Sequence, residues 1–340
     1  MESAIPEHLR CPRTRQRRVA DDYVPPYPSF VARHAPSVKR VVMAYFGVQS
    51  QGDAAAVDAA LADISSRFAA EQAPGHWDRA RYTDEAGHDT VILAAYWDDP
   101  ARFQAWFERH GSDWTRAPRA GVGTFTEVLQ PDVERYETLF SAPDRAEGIA
   151  MLSQGMSDTV LEHAYWGGAR DRVPAAQTDA LLPHGQPTFE RAGSRVSVRG
   201  QQHLCLIRSG QDWGDTDAEE RRMYLNDVEP ALHAGMDFLR DHGLPVGCFA
   251  NRYVRVETAD GRPTEKSYGM SWWQSLAALE RWAESHPTHL AIFGAAMQYL
   301  SKLGPAAKLK LYHEVTVARA EDQFFEYLNC HGATGLLRAG

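Results

Sequence analysis

The chain has 340 residues, of which 44% are hydrophobic and 24% are charged, and its formal net charge is −9. This composition is typical of a globular protein with one large or about two ordinary domains, and it excludes disordered, collagen-like and coiled-coil chains. The acidic balance provides no global attraction to nucleic acid or to anionic lipid.

Residues 1–37 predict an extended N-terminal arm. Prolines at positions 25, 26 and 28 disfavour a helix, and the aromatic residues among them indicate an arm that lies on a surface, solvated or packed on a partner subunit. No apolar stretch follows the basic cluster Arg10–Arg18, so the arm is not a signal peptide. No run in the chain approaches the roughly 18 apolar residues of a membrane span. Four scattered cysteines without a CxxC pair predict reduced thiols in a cytoplasmic protein.

Residues 38–130 predict a first module that alternates strands and helices. β-Branched runs predict the strands, and apolar residues at helical spacing predict the helices. In chain order the predicted elements are strand Val38–Val48, helix Asp53–Ala70, a further strand near His76–Tyr82, strand Thr90–Trp97, a helix capped by Asp98–Pro100, and strand Gly123–Leu129.

Residues 195–340 repeat this order, after an inserted, partly helical segment at 131–194. The predicted elements are strand Arg195–Ile207, helix Asp217–His242, a hairpin of Cys248–Glu257 and Glu265–Trp273 around Asp260–Gly261, helix Ser275–Glu284, a helix from His286 to about Leu300, and strand Leu309–Ala318.

The two modules align with each other by eye, which indicates an internal duplication. The order of elements is that of a ferredoxin-like module. We therefore predict an α+β fold in which duplicated ferredoxin-like modules form an antiparallel barrel or sandwich flanked by helices, as one compact unit. The aligned residues are Trp97 with Trp273, Trp106 with Trp282, and His110 with His286.

Two histidines distinguish the second module from the first. His289 stands where the first module has Asp113, and His313 stands where it has Thr126. A structural scaffold does not require histidine at either position, and histidine is a common metal ligand and acid–base group. These two residues are the leading candidates for chemistry.

His289 lies in the first turn of a predicted helix, with Ser285 as its expected N-cap. The small residues at 294–296 would let a flat group approach the helix backbone. Three interpretations remain open: a proximal haem ligand, a zinc ligand together with His286 in an HxxH pair, or an ordinary histidine at a capped helix start. The last is the commonest case for such a pattern.

Three further features each have a functional interpretation and an ordinary structural one. His313 takes a core-facing position in Leu309–Val317, with Lys310, Tyr312, Glu314 and Thr316 on the opposite face; it could equally be a hydrogen-bonded core histidine. Ser209 ends a strand, where it is a functional hydroxyl or a turn former. The charged and aromatic stretch 162–174 is a site wall or a surface loop. The chain has no GxGxxG, Walker A or GxSxG motif.

Nine segments of the sequence together resemble the aldoxime dehydratases, haem enzymes that convert aldoximes to nitriles. The resemblance covers nearly the whole chain. The segments are Met1–Ile5, Cys11–Thr14, Tyr136–Phe140, Tyr165–Gly167, Ile207–Trp213, Gly235–Arg240, Glu284–Leu290, Leu311–Val315 and Tyr327–His331.

The resemblance implies a role for five residues. By position, His289 corresponds to the proximal ligand of haem b and His313 to the distal catalytic histidine. Ser209 corresponds to the hydroxyl that hydrogen-bonds the oxime oxygen, Arg172 to the distal arginine, and Glu137 to the carboxylate that supports proton transfer. The resemblance also implies ferrous iron as the active form, a homodimeric α+β barrel, and an aldoxime as the substrate.

The chain departs from the family pattern at a few positions. The segment between the two histidines is longer, at Leu303–Pro305, Val173 replaces an aromatic residue, and Ala164 replaces a glycine. These changes concern substrate size more than chemistry. The alternatives to a dehydratase are a haem barrel with peroxidase-type activity and a non-catalytic haem or small-ligand barrel.

Overall fold

The computed structural model describes residues 1–84, 86–163 and 168–340. Within them, seven α-helices and fourteen strands are arranged as one 12-stranded sheet, a two-stranded sheet, and covering helices. The strands are β1 Ala32–Arg33, β2 Val42–Ser50, β3 His76–Thr83, β4 Asp89–Trp97, β5 Gly123–Leu129, β6 Tyr136–Phe140, β7 Gly155–Met156, β8 Thr188–Ala192, β9 Arg195–Arg199, β10 Leu204–Asp212, β11 Cys248–Glu257, β12 Pro263–Trp273, β13 Lys310–Ala318 and β14 Gln323–Leu328. The helices are α1 Ala54–Ser66, α2 Pro100–Trp106, α3 Gly168–Arg172, α4 Ala218–Met223, α5 Glu229–His242, α6 Leu276–Ser285 and α7 Pro287–Leu303.

The large sheet is antiparallel and contains two groups of four strands with the same internal order. Its full order is β6-β13-β10-β12-β11-β3-β4-β2-β5-β14-β9-β8. The two groups are β2–β5 and β10–β13. In each group the strands lie side by side in the order second, third, first, fourth, counted along the chain. Pairing of β11 with β3 joins the two groups. The expected mixed α+β architecture is confirmed.

Each group carries its helices on one face, over a core that contains a pair of tryptophans. Trp97 and Trp106 lie with ring centroids 5.3 Å apart at 47°, and Trp273 and Trp282 lie 5.6 Å apart at 43°. The two tryptophan pairs, which the alignment of the modules matched with each other, therefore pack in a similar geometry. All four are buried, and aromatic burial of this kind is a large stabilising contribution to a core.

The other face of each group is also covered. Tyr312, Glu314 and Thr316 of β13 were predicted to point to the face of the sheet opposite to that of His313. The structure buries all three side chains on that face. Glu314 accepts a 2.8 Å hydrogen bond from the Tyr96 hydroxyl on β4 of the other group. Polar side chains therefore connect the two groups through a buried interior.

Two predicted elements differ from the structure. The single strand predicted at 195–207 is wrong: a turn with His203 at a φ of +61° separates β9 from β10, and the two strands join different parts of the sheet. The long helix predicted at 217–242 is interrupted by a π-helical segment at Tyr224–Val228. Pro230 follows immediately, and its missing N–H cannot continue the regular α-helical hydrogen bonds.

The N-terminal arm packs on its own chain. The backbone N–H of Ala4 donates to the Glu162 carboxylate at 2.8 Å, and the N–H groups of Arg18 and Val19 donate to the Asp171 carboxylate at 3.0 and 2.8 Å. The arm is therefore held to Glu162 and to α3. None of the described helices is long and apolar enough to cross a membrane.

Candidate active site

Three neighbouring strands bring the candidate residues to one face of the sheet. In register, His313 on β13 lies opposite Ser209 on β10 and opposite Leu139 on β6. Glu137 lies two residues before Leu139 on β6, so its side chain points to the same face as that of His313. Directly opposed side chains in antiparallel strands have Cβ atoms about 4.5–5.5 Å apart. The sheet register therefore places Ser209, His313 and Glu137 together.

Arg172 completes this group from α3. Its Nε donates to Glu137 Oε2 at 2.7 Å and its Nη2 donates to Glu137 Oε1 at 3.2 Å. Its Nη1 donates to the backbone oxygen of Glu162 at 2.7 Å. The side chains of Arg172 and Glu137 are both only 2% exposed. This bidentate pair, with the carbonyl as a third partner, fixes both side chains in one orientation.

His313 Nε2 lies within hydrogen-bonding distance of both charged partners. It is 2.9 Å from Arg172 Nη2 and 2.9 Å from Glu137 Oε1. The guanidinium can only donate and the carboxylate can only accept. Nε2 therefore accepts from Arg172 when it carries the lone pair and donates to Glu137 when it carries the proton, so both protonation states of this nitrogen have a partner.

The charges around Glu137 keep it ionised. Burial acts to raise the pKa of this carboxyl, but Arg172 and His313 together lower the pKa below its ordinary value. Glu137 is therefore an anion at neutral pH. An anion next to an imidazole stabilises the protonated ring, which suits a histidine that must alternately give and take a proton.

Ser209 lies beside His313 on the neighbouring strand and is partly exposed. The prediction that it ends a strand is wrong, because the pairing of β10 continues to Asp212. On its other side β12 places Gly269 in register. A Cβ at Gly269 would lie 2.7 Å from Met236 Sδ of α5, so the glycine lets α5 pack closely onto the sheet beside the hydroxyl. Ser209 thus lies between His313 on one side and the closely packed helix α5 on the other.

His289 lies in the first turn of α7, one turn beyond the end of α6. Its Nδ1 is 2.8 Å from the backbone oxygen of Ala283. A carbonyl oxygen only accepts, so Nδ1 carries the proton and Nε2 carries the lone pair. Burial lowers the pKa of His289 to about 4, so the ring is neutral at neutral pH. A neutral imidazole whose other nitrogen is held by a carbonyl is the form that binds a metal.

The surroundings of His289 fit a large flat apolar cofactor. The helix α7 is mostly apolar, yet only Tyr299 of its residues is buried. A Cβ built on Gly294 would meet no described atom within 4 Å, so the backbone is open there, as the small residues at 294–296 predicted. Ile292 of the same helix packs against Gly235 of α5. These features fit a haem held by His289 against α7.

The position of His286 corrects two predictions: that Ser285 caps α7, and that His286 and His289 could bind zinc together. His286, not Ser285, is the N-cap of α7, since its side chain accepts from the Thr288 N–H. Its ring also stacks on Phe238 with centroids 4.3 Å apart. Ser285 instead ends α6. His286 is committed to capping and packing, which leaves the zinc interpretation of this pair unsupported.

One polar residue near the site was not assigned from the sequence. His163 lies at the edge of the group, and its Nδ1 donates to the backbone oxygen of Tyr27 at 3.1 Å. Burial lowers the pKa of His163, and the nearby charges of Arg172 and His313 lower it further. The only sequence feature that pointed towards His163 was the mixture of charged and aromatic residues in the stretch 162–174. Ala164 and the Tyr165–Gly167 segment of the resemblance lie outside the described residues.

Comparison with known proteins shows which family the chain resembles. The family model of the haem-containing dehydratases matches residues 44–336. The aliphatic aldoxime dehydratase of Pseudomonas chlororaphis is 44% identical over 348 residues, covering 99% of this chain and 98% of that protein. The phenylacetaldoxime dehydratase of Bacillus sp. (strain OxB-1) is 32% identical over 94% of both chains.

Solved structures show the same similarity over the whole chain. A crystal structure of an aldoxime dehydratase matches with a TM-score of 0.95 and 43% identity, covering 100% of this chain and 99% of that one. An aldoxime dehydratase in complex with butyraldoxime matches with a TM-score of 0.95 and 42% identity, covering 100% and 97%. The chain belongs to the haem-containing dehydratase family.

Proposed function

We propose that this protein is a lyase that converts aldoximes, R–CH=N–OH, to nitriles and water with the help of haem bound through His289. The observation that carries the proposal is the contact of the buried Arg172–Glu137 pair with His313 beside Ser209, in a chain that resembles aldoxime dehydratases from end to end. The two alternatives, peroxidase-type activity and non-catalytic haem binding, lack such support from relatives.

The reaction removes a hydroxyl group and a C–H proton, with no net change of oxidation state. Hydroxide is a poor leaving group, so the oxime oxygen must receive a proton as the N–O bond breaks. Haem, in its ferrous form, supplies a binding centre for the oxime nitrogen and electron density that weakens the N–O bond. The residues of the chain must provide the proton, hold the oxygen, and accept the C–H proton.

His313 is suited to both proton transfers. Arg172 and Glu137 hold Nε2, so Nδ1 is the nitrogen left to exchange a proton with the oxime. The protonated ring donates from Nδ1 to the oxygen, which leaves as water, and the same nitrogen then takes the proton from carbon. The ring returns to its starting state, so atoms and charge balance without an external acid.

The neighbouring residues position this exchange. Ser209 orients the leaving oxygen, because its hydroxyl projects from the strand position opposite His313. Glu137, ionised by its pairing with Arg172, stabilises the protonated ring through Nε2. Arg172 keeps Glu137 ionised and fixes the distance between the carboxylate and the imidazole. We assign His313 and Ser209 to the substrate, and Glu137 and Arg172 to proton supply and positioning.

The test is the behaviour of the reduced holoenzyme towards an aldoxime. The purified protein should show a haem Soret band, and adding an aliphatic aldoxime to the dithionite-reduced protein under anaerobic conditions should shift its spectrum and yield the nitrile. A Soret band without nitrile formation would favour a binding barrel. Oxidation of a chromogenic donor that depends on hydrogen peroxide, without nitrile formation, would favour a peroxidase.

We further infer that the fold is a duplicated ferredoxin-like barrel. The shared strand order of β2–β5 and β10–β13 and the matched tryptophan pairs support it. In this division the arm is 1–37, the modules are 38–130 and 195–340, and 131–194 is the insert. We propose a homodimer, for which light scattering should give twice the 37.9 kDa of one chain. Four free cysteines support a reducing, cytoplasmic setting.

A further inference from the structure

We propose that Asp84, His88 and His331 form a second metal site, for a zinc-type divalent cation, outside the haem site. Asp84 and His88 bracket the turn between β3 and β4, and His331 follows β14. One ligand atom from each of the three residues lies within 4.8 Å of the other two. Imidazole and carboxylate ligands in this ratio are a common donor set for zinc with an open coordination position.

The three side chains already converge on one point. His331 Nε2 is 2.6 Å from Asp84 Oδ2, and His88 Nδ1 is 3.6 Å from Asp84 Oδ1. The two imidazole rings stack with centroids 4.2 Å apart and an interplanar angle of 20°. The ring nitrogens of both histidines therefore face the same carboxylate, and a cation would replace the direct His331–Asp84 hydrogen bond.

The backbone fixes each residue before any cation binds. The turn is closed by hydrogen bonds from Asp84 N to His88 O at 3.0 Å and from His88 N to Asp84 Oδ1 at 2.9 Å. Gly87 has a φ of +80°, which a residue with a side chain rarely adopts, so the tight turn depends on this glycine. His331 is anchored through its backbone N–H, which donates to Gln49 Oε1 at 3.1 Å.

A nitrogen without a partner gives independent support. His88 Nδ1 is shielded from solvent and has no hydrogen-bond partner among the described residues. It faces Asp84 Oδ1 across 3.6 Å, which is too long for a hydrogen bond. A cation between the two residues would accept the lone pair of this nitrogen and balance the charge of the carboxylate. A simple His331–Asp84 pair leaves His88 Nδ1 unexplained.

The location separates this site from the haem chemistry. The β3–β4 turn and the end of β14 belong to the part of the sheet around β2–β5, whereas His313 and Ser209 lie on β13 and β10. The side chains of Asp84, His88 and His331 are 10%, 21% and 22% exposed, so a cation can enter from solvent. A bound cation would cross-link the hairpin to the C-terminal segment and stabilise that end of the fold.

The experiment measures zinc bound by the haem-loaded protein without a histidine tag. The protein is dialysed against ZnCl₂ at about 10 µM free metal, and zinc and iron are then measured by elemental analysis. The amount of haem iron measures the amount of folded, haem-loaded protein, so the proposal predicts one zinc per iron. MgCl₂ and CaCl₂ should give no bound metal under the same conditions, because these cations prefer all-oxygen ligands.

Variants identify the ligands. H88A and H331A should each lose the bound zinc, whereas H184A, which removes an exposed histidine elsewhere, should keep it. Because His88 Nδ1 makes no hydrogen bond, H88A should retain its Soret band and its aldoxime turnover, which shows that the fold and the haem reaction are intact. Zinc should also raise the Tm of the wild type and not that of H88A. No stoichiometric zinc in the wild type, or equal zinc in wild type and H88A, would overturn the proposal and leave an ion pair only.

Discussion

Replacing Glu137 with glutamine tests the central ion pair most informatively. The side chain keeps its shape but loses its charge. In the wild type Glu137 accepts from Arg172 Nε at 2.7 Å and from Nη2 at 3.2 Å, and it lies 2.9 Å from His313 Nε2. A glutamine can keep one of the arginine hydrogen bonds through its amide oxygen. Its NH₂ group then faces either a donor on Arg172 or the ring nitrogen of His313.

The expected loss of stability is about 3 kcal/mol. A hydrogen bond to a charged group contributes about 1.5–3 kcal/mol, and breaking a buried ion pair costs about 3–5 kcal/mol when one charge is left alone. Because one hydrogen bond survives, the lower end applies. For a chain of this length that corresponds to a decrease in Tm of about 5 °C. The loss of a carboxylate that stabilises protonated His313 should also lower kcat by about 10²-fold.

The pH dependence has a definite sign. The pKa of Glu137 is lowered in the folded protein, so its stabilising effect is full above the ordinary carboxyl pKa of 4.5 and is lost as the pH falls through the folded value. The difference in Tm between wild type and E137Q should therefore be largest at neutral pH and shrink below about pH 4.5. Thermal unfolding of the haem-loaded proteins, followed by circular dichroism, measures it.

A matched control separates catalysis from stability. Glu127 is also fully buried and forms a bidentate pair with Arg252, with both Nη–O distances at 2.6 Å, but it lies in the interior away from His313. E127Q should lose a similar stability and keep its turnover per haem. If E137Q and E127Q show the same turnover per haem, or if the Tm difference for E137Q does not change with pH, the assignment of Glu137 is wrong.

Substitutions at three other positions extend the test. H289A should bind haem weakly, so its Soret absorbance per protein should fall at least about tenfold, and a normal haem complex would exclude His289 as the ligand. S209A should lower kcat by about tenfold and weaken the spectral response to aldoxime, and unchanged kinetics would show that the Ser209 hydroxyl has no part in the reaction. E314A should cost about 3 kcal/mol, because the Tyr96 hydroxyl loses its buried acceptor, whereas E314Q should cost less. Burial raises the pKa of Glu314, so E314Q should gain stability relative to the wild type as the pH rises, and a Tm difference between these two proteins that does not change with pH would contradict this.

The sequence predicted those parts of the fold that local patterns determine. The strands Gly123–Leu129 and Cys248–Glu257 agree with the structure to the residue. Comparison of the two modules also separated His289 and His313 from the other histidines before any family was considered. The strand predictions agree because strand alternation is a short-range signal that does not depend on which elements meet in space.

The contacts of the site could not be predicted in the same way. Arg172 is 35 residues from Glu137 and 141 from His313 along the chain. Pairing of β6 with β13 brings Glu137 to His313, and Arg172 reaches both of them from α3. Alternation along β13 placed His313 on one face correctly, but it could not show that Glu314, on the other face, is buried against the second group of strands. The convergence of His88 with His331 likewise depends on the position of the C-terminal segment.

The most direct test of the proposed function is the yield of nitrile from an aliphatic aldoxime by the dithionite-reduced protein, compared with H313A at equal haem content. The reduced wild-type protein should form nitrile without added oxidant, and H313A should retain its Soret band and form nitrile at least about 10²-fold more slowly. Absence of nitrile from the reduced, haem-loaded wild type, or an equal rate in H313A, would contradict the account.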